Sequence, residues 1–161
     1  ASNDLVKGAT KADRYLVESI EEKHNTITKF IANNLRLLNK VGHPNNKNTS
    51  LFYHIIESLD NINDTLKESA RDIVNSSIKI SKNCENILNQ INELLECYHK
   101  LFYKFDFKVV EKLSSERYTI MEKMKVLSKK LSKEEIMFLM NMERIVEEVL
   151  DLTVERMALE Y

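Results

Sequence analysis

The sequence predicts an all-α protein, an antiparallel helical bundle, and three observations lead there. The 161 residues include two glycines and one proline, too few turn formers for the many reversals of a β fold. Only residues 41–48, VGHPNNKN, have the composition of a loop. Elsewhere apolar residues recur at alternating spacings of three and four, the period of a packed helix rather than of a strand. The length fits one domain with a sizeable core.

The first helix is expected from Asn3 or Lys11 to Lys40, with Val17, Ile20, His24, Ile27, Ile31, Asn34, Leu38 and Val41 along its seam. Gly42 and Pro44 stop it. Thr49 or Ser50 caps the second helix, whose seam is Phe52, Ile55, Leu59, Ile62, Leu66, Ala70 and Ile73. The stretch 75–83, rich in serine and asparagine, breaks the pattern, and Ser81 caps a third helix through Cys84, Ile87, Leu88, Ile91, Leu94, Leu95, Tyr98, Leu101 and Phe102. Asp106 caps a fourth, which buries Val110, Leu113, Ile120, Met121, Met124 and Leu127. Ser132, with Glu135 three residues on, forms a capping box for the fifth. That helix carries Ile136, Leu139, Met142, Ile145, Val149 and Leu152.

Composition narrows the function classes. With 24 basic and 25 acidic residues, the chain lacks the basic excess of a general nucleic-acid binder. Cys84 and Cys97 form no CxxC, so they read as small buried residues in a reducing compartment. No run of 18 apolar residues marks a membrane span, and no signal peptide is visible. The opening Ala-Ser-Asn reads as a cloning remnant, and the chain reads as a piece of something longer. There is no nucleophile–base pair, glycine-rich phosphate loop or zinc motif. A non-enzymatic protein is expected.

An internal repeat organises the chain. VESIEEKHNTI at 17–27 matches VEKLSSERYTI at 110–120 in its V-E-x-[I/L] start and its T-I end. Each stands in a helix followed by another that bears an apolar–acid–x–Ile–x–acid pattern: LDNIND at 59–64 and MERIVE at 142–147. Two matched helix pairs in one order imply a duplicated unit. The second unit has a helix in front of its pair. The first has only ASNDLVKGAT, so its opening helix is missing or truncated. That leaves an apolar edge which a homodimer or a swapped helix would cover.

Asp60/Asp64 and Glu143/Glu147 place two carboxylates one helical turn apart beside the core stripe. Ionised carboxylates repel there, and a cation would use them as oxygen ligands. Glu21 and Asn25 have the same spacing on the first helix. Ser114 and Tyr118 hold the matching positions in the second unit. The competing readings are a solvated acidic face for the carboxylates and a packed, hydrogen-bonded role for His24.

These motifs resemble the PhoU family, helical regulators of phosphate uptake built from two three-helix repeats. LDNIND and MERIVE are similar to the acidic motif of its third helices, and EEKHN at 21–25 to that of a second helix. IKIS at 78–81 is similar to the link in PhoU-like domains fused behind sodium/phosphate cotransporter membrane segments. The resemblance implies one PhoU-like domain over 1–161, with a partial first repeat at 1–77 and the second at 78–161. It implies a regulator of phosphate transport that docks on a transporter membrane domain or a phosphate-sensing kinase, or serves as a cotransporter's soluble tail. The implied location is cytoplasmic, at the inner face of the membrane, with no nucleic acid as partner. The metal residues it implies are Glu21, Asn25, Asp60, Asp64, Glu143 and Glu147, for iron, zinc or another divalent cation. The alternatives are a helical carboxylate metal-binding protein and a ligand-free coiled-coil adaptor.

Overall fold

A computed structural model describes residues 14–76 and 80–161, and the side chains of residues 19–75 and 80–161. Among the described residues there are five helices and no strand: α1 Arg14–Val41, α2 Lys47–Ser76, α3 Lys82–Tyr103, α4 Phe107–Ser128 and α5 Lys133–Ala158. None of these helices is long and apolar enough to cross a membrane. The expected helix start near Asn3 or Lys11, the Val17 side chain, and Ile78 and Lys79 of the IKIS stretch lie outside the described residues.

The helix ends follow local chemistry. Gly42, at φ +73°, closes α1 in a left-handed conformation that costs glycine little, and its N–H donates to the Leu38 carbonyl at 2.8 Å. α2 starts two residues before the expected cap. Asn45 Oδ1 accepts from the Lys47 N–H, while Thr49 is used by the loop instead, accepting from the His43 N–H at 3.0 Å. Ser81 and Asp106 cap α3 and α4 as expected. Ser132 and Glu135 form the expected capping box on α5. Glu135 does more than that: its carboxylate also accepts from the Ser81 N–H at 3.0 Å. One side chain thus ties the start of α5 to the start of α3.

α5 is the central element. It packs on α2, α3 and α4, whereas α1 packs on α2 alone among the described helices. α3, α4 and α5 make a closed three-helix bundle, and the α1–α2 hairpin joins it through the α2–α5 contact. One apolar core runs through both parts. The hairpin contributes Ile20, Ile55, Ile62, Leu66 and Ile73 to it. Ile87, Leu88 and Ile91 of α3, Leu113 and Ile120 of α4, and Met142, Ile145, Val149 and Leu152 of α5 complete it.

The expected seams hold for α3 to α5, with Leu95, Phe102, Val110, Met121, Leu127 and Ile136 half-buried at the edge. On the hairpin they shift. The buried edge of α1 runs through Ile20, His24 and Ile31. Ile27, Asn34 and Val41, expected on the seam, are exposed, and so is Leu59 of α2. The matched positions explain why. Ile27 and Ile120 close the two repeat segments, yet Ile27 is 37% exposed and Ile120 is 3%. Leu59 and Met142 open the two acidic motifs, and they are 42% and 0% exposed. α3 packs on both α4 and α5, and no described helix stands in the equivalent place against α1 and α2.

Met142→Ala therefore removes a filled core volume and is expected to cost about 2–5 kcal/mol. Leu59→Ala, at the matched position, is expected to cost less than about 1 kcal/mol. Urea unfolding of the two variants checks this contrast, and equal costs would contradict it.

Candidate functional site

The motif acids lie along the inter-helix edges of the two matched pairs, and each edge is closed by a cation or a histidine. On the first pair, His24 of α1 reaches Asp64 of α2, with Nε2 at 2.6 Å from Oδ1. Lys67, three residues beyond Asp64, donates to the same oxygen at 2.8 Å. The His24 Nδ1 atom is buried without a hydrogen-bond partner. A proton there would be a buried unmet donor, so a hydrogen on Nε2, facing Asp64, fits the contacts best. His24 then donates to Asp64, as expected for a packed, hydrogen-bonded histidine. Lys67 Nζ also lies 3.0 Å from Nε2, so the two donors stand side by side on one carboxylate oxygen.

Asp60 and Asp64 have opposite environments. The Asp60 Oδ1 atom is buried without a partner, and burial, then the Asp64 charge, push its pKa up. For Asp64 the hydrogen bond from Lys67 is the largest influence and holds its pKa down, against partial burial and with help from His24. One acid is costly to ionise and its neighbour is held ionised.

The second pair repeats the contact with different residues. Arg117 of α4 donates through Nη2 to both oxygens of Glu147 on α5, at 2.5 and 2.8 Å. In the repeat alignment His24 matches Arg117, and Asp64 matches Glu147. The same two positions therefore carry an inter-helix carboxylate contact in both units.

The remaining candidates do not converge. Glu21 turns to Arg71, whose Nε lies 2.5 Å from its Oε1. Asn25, Glu143 and Tyr118 are exposed. Among the described residues, no three His, Cys, Asp or Glu side chains stand together in a way that holds a metal ion. Asp64 and Glu147 have cationic or histidine partners, which a metal would have to displace. Sequence reasoning missed Lys67, Arg71 and Arg117. Lys67 had a signal in its spacing of three from Asp64, and Arg117 had one in its alignment with His24. Cys84 and Cys97 are free and buried, in keeping with their reading as small core residues.

Comparison of the chain with protein families, curated proteins and solved structures finds no match.

The paired acids give a pH signature. Asp60 has a folded-state pKa above its unfolded value, so its ionisation destabilises the fold at neutral pH, and that cost fades as pH falls through the raised value. Asp60→Asn is expected to raise Tm by about 1–3 °C at pH 7, with the advantage shrinking toward pH 4. Asp64 has the opposite sign: its contribution is present above the unfolded pKa and is lost as pH falls through its lowered value. Asp64→Asn should lower Tm at pH 7. Thermal melts of both variants between pH 3 and pH 7 check the signs, and an Asp60→Asn protein less stable than wild type at pH 7 would refute the assignment.

Proposed function

We propose that the chain is a non-enzymatic regulatory module of phosphate transport or phosphate homeostasis, of the kind PhoU-like domains represent. It acts by docking on a transporter membrane domain or a phosphate-sensing kinase, or as the soluble tail of a sodium/phosphate cotransporter. The observation that carries this reading is the doubled carboxylate contact, His24–Asp64 and Arg117–Glu147. It falls on matched positions of two helix pairs and supports the duplicated arrangement that the motifs suggest.

One acid of each motif, Asp64 and Glu147, bonds across its helix pair here, which favours work through protein contact over metal storage. A carboxylate-bundle metal protein uses Glu-x-x-His motifs that project inward from facing helices. That spacing occurs at Glu21–His24 and Glu96–His99, but neither instance fits the role. Glu21 turns to Arg71 and His24 to Asp64. Glu96 and His99 are both exposed, and the His99 ring packs against Tyr103 of its own helix.

The test is deletion of the coding segment in the organism that encodes it, followed by measurement of phosphate uptake in low and high phosphate. The deletion strain is expected to keep taking up phosphate when phosphate is plentiful, and the intact segment supplied in trans or in its native fusion should restore control. Uptake that responds to phosphate as in the parent strain would reject the proposal. In the purified protein, iron, manganese or zinc is expected to leave Tm unchanged. A concentration-dependent rise lost in the Asp60→Asn, Asp64→Asn double variant would restore the metal reading.

A further inference from the structure

The exposed flank of α1 has a second property, which concerns charge. From Lys23 to Ile56 there is no Asp or Glu, while Lys23, Lys29, Arg36, Lys40 and Lys47 all fall in that stretch. The chain as a whole is slightly acidic, so this acid-free run of sequence sets the α1–α2 hairpin apart. All five cations are exposed. The same stretch carries Ile27, Phe30, Leu37 and Val41, spaced to share one flank of α1, and the last three are each more than half exposed. Lys29, Arg36 and Lys40 follow one another at helical spacing along the neighbouring flank.

We propose that this hairpin face docks on an anionic lipid surface. A basic amphipathic helix with aromatic and aliphatic residues beside its cations is the pattern of interfacial membrane binding: apolar side chains enter the headgroup boundary while lysine and arginine meet lipid phosphates. A second copy of the chain fits less well, because a symmetric contact would bring the same cations together with no acid between them. A single covering helix also fits less well. In the second unit, α3 covers Ile120 and Met142, and the position matching Phe30 is Lys123, which bonds to Gln90 of α3. The position matching Leu37 is Lys130. The first unit continues its apolar surface onto a shoulder that is lysine in the second, and its cations extend across the turn to Lys47 on α2. A broad anionic sheet matches that width. This inference does not rest on the phosphate reading.

The test is sedimentation of the full chain with phosphatidylcholine vesicles and with vesicles containing about 30% phosphatidylglycerol. Binding is expected to the anionic vesicles only, and to weaken with added salt. Leu37→Glu with Val41→Glu should reduce it by about tenfold or more. Arg36→Glu with Lys40→Glu should remove the preference for anionic lipid. Lys129→Glu with Lys130→Glu, away from the hairpin, should leave binding unchanged. Circular dichroism and unfolding of each variant separate loss of binding from loss of fold. No lipid-dependent sedimentation, equal binding by the hairpin and control variants, or self-association through this face without vesicle binding would each overturn the proposal.

Discussion

The fold depends on burial of α5 on several sides at once. Phe138, Leu139, Met142, Ile145, Val146, Val149 and Leu152 are all buried, an arc wider than the stripe of a helix that covers a core from one side. α3 and α4 close the bundle around it, and α2 lies along it. On α2, Thr65 and Ser69 are buried and follow Asn61 at one-turn intervals, and Asn61 bonds Glu148 of α5 at 3.1 Å. The two hydroxyls donate to carbonyls one turn earlier, at 2.7 and 2.8 Å. Small polar residues whose hydroxyls are met within their own helix thus let two long helices approach closely.

The polar contacts at the helix edges are a different kind of device. Ion pairs as exposed as Arg117–Glu147 contribute at most about 1 kcal/mol, so they do not hold the fold by strength. They select register: sliding one helix by a turn would separate His24 from Asp64 and leave the half-buried carboxylate with Lys67 of its own helix as its remaining donor. Asp60 shows the cost of this arrangement, since its neighbour takes both nearby donors and its own buried oxygen has none.

The five helices of the described residues, and the caps and seams of α3 to α5, were legible in the sequence, because caps are local and a complete bundle buries the whole apolar stripe. Ser81, Asp106 and the Ser132–Glu135 box needed only neighbouring residues to be read. The seam of α1 was not legible in the same way. Periodicity records which residues are apolar, and it does not record whether a partner helix is present to cover them. Ile27 and Val41 fit the pattern and stand exposed. Phe138 and Val146 were missed for the opposite reason: α5 is surrounded, so its buried arc exceeds one stripe. For the motif acids the sequence shows their spacing and not their partners. A cation donated from another helix leaves no trace in the spacing of the acids themselves.

The two helix pairs therefore differ in what surrounds them. Their helix pairs share matched apolar positions, such as Ile62 and Ile145, both buried, and a matched carboxylate contact. In the second unit α3 turns the remaining apolar surface into core. In the first that surface stays open and is bordered by cations with no acid among them. A residue such as Phe30, where the second unit has Lys123, gains nothing for the isolated fold by being exposed. Its presence there, beside Lys29 and in line with Leu37, is a constraint that folding of the described residues does not impose, and the proposed lipid contact would account for it.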